Sequence, residues 1–230
     1  MNQIVTTGIV LGRIDYGEAD RIIALLTPDH GKLRLMAKGV RRVKSKLAGG
    51  IELFSVSQIT FIRGRGEIGT LVSTRLDKHY GTIVSGIERV QLGYELLKLI
   101  DKSTEDEAEP IYFELLNEAF VALDDPSVDL RLIRAWFYAQ LLRAGGNQPN
   151  LDSDVNGGSL RSDGRYQFDL DAMALAERAE GPIGSHEIKC LRLFFGHTRP
   201  VVLQHIADID KLLPTVESVV RPAFDVHIRR

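Results

Sequence analysis

A single cysteine, Cys190, among 230 residues excludes an intramolecular disulfide and any zinc site built from several cysteines. That scarcity fits a reducing compartment. No stretch approaches the roughly 18 uninterrupted apolar residues of a membrane span. The opening residues 1–18 lack the charged leader, apolar run and cleavage site of a signal peptide, so a cytosolic protein is expected. Catalytic signatures are missing too. The six histidines, His30, His79, His186, His197, His205 and His227, include no pair at the i, i+4 spacing of a helical metal site, and no HExxH, GxSxG or Walker-type sequence occurs. Internal repeats and low-complexity tracts are also missing. Net charge is only -2, without the excess of positive charge common in nucleic-acid-binding proteins.

That average hides a division. The formal charge is +6 through Tyr80 and -8 beyond it, and the hydrophobic period changes at the same place. Before Tyr80 the chain reads as five short strands. Ile4 to Ile14 and Arg21 to Thr27 are rich in β-branched residues and are separated by the turn Tyr16-Gly17-Glu18; Pro28-Asp29-His30-Gly31 supplies the next turn. From Lys32 to Lys38, Leu33, Leu35 and Ala37 alternate with Lys32, Arg34, Met36 and Lys38, so a pleated strand buries one side and presents a mostly cationic one. Leu53 to Arg63 and Ile68 to Leu76 pair through Gly64-Arg65-Gly66. Five strands in about eighty residues suit a small closed barrel of the OB type.

After Tyr80 the spacing becomes helical. Ile83, Ile87, Val90, Tyr94, Leu97 and Ile100 form one stripe; a second helix begins near Pro110 and runs through Ile111, Leu115, Ala119 and Leu123; a third, with Ser127 as its N-cap, contains Leu132, Trp136, Phe137 and Leu141 and stops at Gly145-Gly146. A turn-rich insertion occupies residues 147–168. Three more helical segments are expected at Leu170 to Glu180, Ser185 to His197 and Pro200 to Leu213. The expected class is α+β and multi-domain, with an OB-fold barrel over residues 1–80 and a mainly α-helical domain over residues 81–230.

The densest chemical signal is residues 37–46, which hold Lys38, Arg41, Arg42, Lys44 and Lys46 and no acid. With Lys32 and Arg34 on the preceding strand they make one candidate surface for a phosphate backbone, gripped by charge and counterion release and therefore weakened by salt. A solvated basic loop is the competing reading. Arg63 and Arg65 sit at the next turn; Gly64-Arg65-Gly66-Glu67-Ile68-Gly69 matches GxGxxG, but a strand pattern follows where a dinucleotide site needs a helix. Phe54, Phe61 and Tyr80 are the nearby aromatics, and such residues more often fill a barrel core. Cys190, at helical spacing with Leu193 and Phe194, reads as a core residue.

Gly8-Ile9-Val10-Leu11, Tyr16-Gly17-Glu18-Ala19-Asp20, Ala37-Lys38-Gly39-Val40-Arg41-Arg42 and Gly64-Arg65-Gly66-Glu67, followed by Leu141-Leu142-Arg143-Ala144-Gly145 and Pro149-Asn150-Leu151-Asp152, together resemble the bacterial RecO recombination-mediator family over nearly the whole chain. The resemblance implies binding to single- and double-stranded DNA, strand annealing, and help in loading RecA onto DNA coated by single-stranded DNA-binding protein. It implies RecR and the acidic C-terminal tail of single-stranded DNA-binding protein as partners, RecA indirectly, and a cytoplasmic, nucleoid-associated location. One departure stands out. Many relatives begin a four-cysteine zinc module with CxxC after the Pro-Asn-Leu-Asp stretch, whereas Asp154 and Gly157 hold those positions here, so neither metal nor other cofactor is expected.

The first functional reading is thus a non-enzymatic DNA repair mediator. Its partner groove needs a cationic rim, for which Arg131, Arg134 and Arg143 are candidates at helical spacing, although ordinary surface arginines would look the same. An OB-fold RNA-binding module in translation or transcription is the alternative. An enzyme acting on nucleotides or small molecules ranks last.

Overall fold

A computed structural model of the chain describes residues 2–64, 66–105, 107 and 109–228. The chain divides into two compact units, residues 1–126 and 127–230.

In the first unit, β1 (Gln3–Tyr16), β2 (Asp20–Thr27), β3 (Gly31–Ala37), β4 (Ser55–Ile62) and β5 (Ile68–His79) close a barrel in the order β1-β2-β3-β5-β4. Closure depends on the length of β1. Its first half pairs with β4, from Gln3 opposite Ile62 to Ile9 opposite Val56, and its second half pairs with β2, from Ile9 opposite Leu26 to Tyr16 opposite Asp20, with a register shift between Val10 and Gly12 where the strand bends. β3 meets β5 in parallel through Arg34, Leu35 and Met36, which is the crossing that makes the five strands an OB-fold. The alternation read in the sequence is the one observed: Ile23, Leu25, Leu35, Ile59, Phe61 and Leu71 fill the interior, and Val40 and Ile51 from the β3–β4 connection close one end.

Helices α1 (Ile87–Ser103) and α2 (Pro110–Asp124) belong to the same unit. An aromatic cluster holds them on the barrel. Phe54, in a left-handed conformation with φ of 57°, packs edge-on against Tyr94 and Phe120, and Tyr80 packs against Phe120 and donates a 2.7 Å hydrogen bond to Asn117. A Cβ added at Gly93 would lie 2.6 Å from the Phe54 ring, so only glycine fits beneath it. Of the stripe expected from the sequence, Ile83, Leu97 and Ile100 are buried, while Ile87 and Tyr94 are exposed. Leu92, Gly93, Leu96, Leu97 and Ile100 face inward, while Ile87 is 76% exposed.

The second unit is built on α3 (Leu130–Ala144), α4 (Ser185–Phe195), α5 (Pro200–Leu203) and α6 (Ile209–His227). Asp129, rather than Ser127, caps α3 by accepting the Arg131 N–H at 2.6 Å, and Gly145 and Gly146 end it as expected. Two helical expectations fail. Residues 170–180 instead form a turn and strand β8 (Ala174–Glu177), which lies between β6 (Asn150–Asp154) and β7 (Tyr166–Asp169); the short run Ala174 to Ala176 is buried throughout and carries no helical period. The segment expected at 200–213 breaks between α5 and α6 at Asp208, whose φ of 57° is incompatible with a continuous right-handed helix. Among the described residues no helix is long and apolar enough to cross a membrane.

Candidate nucleic-acid interface

The connection from β3 to β4 is anchored at its base and free at its tip. Gly39, with φ of +65°, turns the chain out of β3 and donates its N–H to Asp20 Oδ1 at 2.7 Å; Arg41 donates its N–H to Ala19 O at 2.9 Å; Val40 is buried in the barrel core. A turn closed by Ser45 N–H to Arg42 O at 2.9 Å carries the tip, and Thr74 Oγ1 donates to Leu47 O at 3.1 Å where the chain returns. The side chains of Lys38, Arg42, Lys44 and Lys46 are exposed and make no ion pair among the described residues. Four cations on one anchored loop, none in an ion pair among the described residues, form a local positive field.

The other expected cations are placed differently. Lys32 is withdrawn from solvent, its side chain 10% exposed; Nζ donates to Asp101 O and Asp101 Oδ1, each at 2.8 Å, and to Thr104 O at 3.2 Å. It neutralises the C-terminal end of α1, where unpaired carbonyls favour a cation. Arg34 is half-exposed and lies 3.7 Å from Glu67. Arg41 is shared between Asp15 at 3.5 Å and Gly17 O at 3.3 Å. Asp15 also accepts from Arg21 at 2.7 Å, and that hydrogen bond, helped by the Arg41 charge, holds its carboxyl below the usual range. Arg63 is exposed beside His30 at 3.5 Å, and Arg65 lies outside the described residues. Arg34 and Arg63 border a cleft of about 870 Å³, but Asp29, Glu67, Glu107 and Glu109 line it as well, so its charge is mixed. The candidate surface therefore contracts to the loop, about 13 Å along β3 from Arg34.

Beside that loop lies a feature the sequence reading missed. Ile14, Ile22 and Met36 stand in one cross-strand row on the outside of β1, β2 and β3, and Tyr16 ends the next row, opposite Asp20. Ile14 is 68% and Tyr16 56% exposed. Phe54, Phe61 and Tyr80 are all buried, as core aromatics are, whereas Tyr16 is exposed next to Gly17, whose carbonyl accepts from Arg41. Part of the signal was present in the alternation: Ile23 and Leu35 point inward, so their neighbours Ile22 and Met36 must point outward, whereas Ile14 and Tyr16 are turned outward by the register shift between Val10 and Gly12.

In the second unit the three candidate arginines do not converge. Arg131 binds Glu217 of α6, its Nε 3.1 Å from Oε1, and this hydrogen bond raises its already high pKa. Arg143 contacts His197 at 3.1 Å. Arg134 borders a groove of about 460 Å³ between α3 and α6, together with Tyr138, Pro214, Glu217, Val220, Arg221 and Pro222. Arg221, which the sequence reading passed over, thus shares a rim with Arg134.

The positions at which the resemblance implied cysteines, Asp154 and Gly157, hold a turn made from hydrogen bonds. Asp154 Oδ1 accepts the N–H groups of Asn156 and Gly158, each at 2.8 Å, and Gly157, with φ of +80°, donates its N–H to Asp154 O at 2.9 Å. One carboxylate already engaged with backbone and one residue without a side chain do not fit a thiolate zinc site. Among the described residues no group of three or more His, Cys, Asp or Glu is placed to hold a metal ion. Cys190 lies buried in α4, and burial pushes its thiol up to about 11.

Residues 1–80 match the family model described as recombination protein O N terminal, and residues 85–197 the one described as recombination protein O C terminal. A protein named DNA repair protein RecO from Dehalococcoides mccartyi strain 195 is 34% identical over 152 residues, which is 66% of this chain and 59% of that protein. One of the same name from Halalkalibacterium halodurans is 31% identical over 153 residues, 65% of this chain and 58% of that protein. Both matches span under two thirds of the relative's length. A DNA repair protein RecO from Alkaliphilus metalliredigens is 30% identical over 210 residues, covering 91% of this chain and 85% of that protein.

Proposed function

The chain belongs to the recombination protein O family, and from that premise we propose that it is a non-enzymatic DNA repair and recombination mediator. It binds single- and double-stranded DNA through residues 1–80, promotes annealing of complementary strands and assists RecA loading on DNA coated by single-stranded DNA-binding protein. The observation that carries this reading is the anchored loop with Lys38, Arg42, Lys44 and Lys46 unneutralised at its surface. Mobile cations on a fixed base hold phosphates without reading bases, which is what annealing of arbitrary sequences requires. Tyr16 and the row Ile14, Ile22 and Met36 offer apolar contact to unpaired bases next to that grip. No covalent step is needed, because bringing two neutralised strands together lets base pairing do the work.

The helical region takes the protein partners. The groove between α3 and α6 is apolar at Tyr138, Val220 and the two prolines and is rimmed by Arg134 and Arg221, while its one acid, Glu217, is bound to Arg131; it suits the acidic C-terminal tail of single-stranded DNA-binding protein, and RecR is the second partner. The working location is the cytoplasm, at the nucleoid.

The test is annealing of complementary strands coated with the cognate single-stranded DNA-binding protein, with labelled RNA as competitor. Acceleration that survives excess RNA supports the reading. Failure to anneal, or preference for RNA, replaces it with an RNA-binding module.

A further inference from the structure

The tip of the basic loop carries a residue that the phosphate grip does not use. Val43 is 104% exposed, and it lies between Arg42 and Lys44 at the apex of the turn closed by Ser45 N–H to Arg42 O. Single exposed apolar residues are common on protein surfaces and by themselves mean little. Two further observations set this one apart. The turn gains nothing from valine, since exposed apices favour Gly, Asn, Asp, Ser or Pro. Its position is also preset: the loop beneath it is tied to the barrel through Gly39, Arg41 and Val40 on one side and Leu47 on the other, so the apex stands off a rigid base and not at the end of a free tether.

Cations on both sides of an apolar apex form a pattern with a physical use. Phosphates held by Arg42 and Lys44 would leave the side chain between them aimed at the interior of the nucleic acid, where an apolar group is repelled by water and welcomed by exposed base surface. Valine suits the task because its branched side chain is restricted at χ1 and loses little entropy on insertion. We propose that Val43 is a base-contacting wedge: on DNA the apex inserts at unstacked or poorly stacked base steps, so the loop favours gaps, nicks and strand junctions over uninterrupted duplex. The inference rests on the reading of this loop as the DNA contact, and it adds a preference for DNA structure that cations alone cannot supply.

The experiment uses the full chain and DNA carrying 2-aminopurine at a one-nucleotide gap, whose fluorescence rises when the base unstacks. Three proteins are compared: the parent, Val43→Thr, which keeps the shape and replaces one methyl group by a hydroxyl, and Val43→Phe, which enlarges the apolar surface. Because Val43 touches nothing in the fold, all three should melt alike. The parent should raise the fluorescence, Val43→Thr should lose at least about threefold of that gain and Val43→Phe should exceed it. The slope of affinity against salt should be the same in all three, since no phosphate contact changes. A parent that binds with no fluorescence change, or variants that match it, overturns the wedge and leaves the phosphate grip intact. A parent that binds no DNA overturns both.

Discussion

Lys32 and Lys44 lie twelve residues apart and carry the same charge, yet they do different things. Lys32 is folded under the barrel surface and holds the end of α1, while Lys44 reaches into solvent from an anchored turn. The same division runs through the whole basic segment. Arg34 and Arg41 lean on Glu67 and Asp15; Lys38, Arg42 and Lys46 lean on nothing among the described residues. A charge count treats all of them as available to a polyanion, but only those without an internal partner can exchange solvent counterions for phosphates at no loss to the fold.

The sharpest way to break this division is to remove the free set. Replacing Lys38, Arg42, Lys44 and Lys46 by Ala should weaken binding to single-stranded DNA by about a hundredfold at moderate salt and flatten the slope of log affinity against log salt by about 3, with the melting temperature unchanged. Fluorescence anisotropy across a salt series measures both, and unchanged binding would return the loop to the role of solubilising surface.

The opposite variant, Lys32→Met, should leave affinity within about twofold and lower stability by about 2 kcal/mol, because the carbonyls and carboxylate at the end of α1 lose a nearly buried charged donor. Denaturant unfolding reads this, and a Lys32→Met protein that is stable but poor at binding DNA would erase the distinction.

Between these lies Tyr16, exposed but uncharged. Tyr16→Ala should cost about tenfold in affinity for single strands, with little change for duplex and none in the salt slope. Equal losses on both substrates would mean that the tyrosine does not meet unpaired bases.

The second unit offers smaller tests of the same idea. Asp154 is committed to its turn by two accepted N–H groups, so Asp154→Ala should lower stability by about 1 kcal/mol, and a chelator should not shift the melting temperature of either protein. Cys190 is committed to the core. Its pKa is raised from an ordinary value near 9 to about 11, so the native thiol keeps its proton where the unfolded one has lost it; this contribution to stability is present below about 9 and disappears as pH rises towards 11. At pH 8 the native protein should resist alkylation that the unfolded chain undergoes readily.

Much of the barrel was legible because its strands obey a period of two and its turns carry glycine at Gly17 and Gly31, where φ is positive. The basic loop was equally plain. What could not be read was partnership across long separations: nothing near Lys32 announces Asp101, and nothing near Arg131 announces Glu217. The inward side of α1 was legible at Leu97 and Ile100 but not at Gly93, which faces the Phe54 ring arriving from the barrel. Residues 174–177 defeated the reading because four consecutive positions are too few to display any period. Ile22 and Met36, by contrast, were recoverable from strand alternation, but Tyr16 was not, because the register shift between Val10 and Gly12 turns over the end of β1.

The meeting of Phe54 with Gly93 has a bearing on how this chain can change over generations. With a ring edge standing where a methyl group would go, position 93 is closed to the other nineteen amino acids for as long as position 54 keeps its aromatic side chain. Substitution at either site must wait for its counterpart, so two segments almost forty residues apart in sequence are bound to vary together or stay as they are.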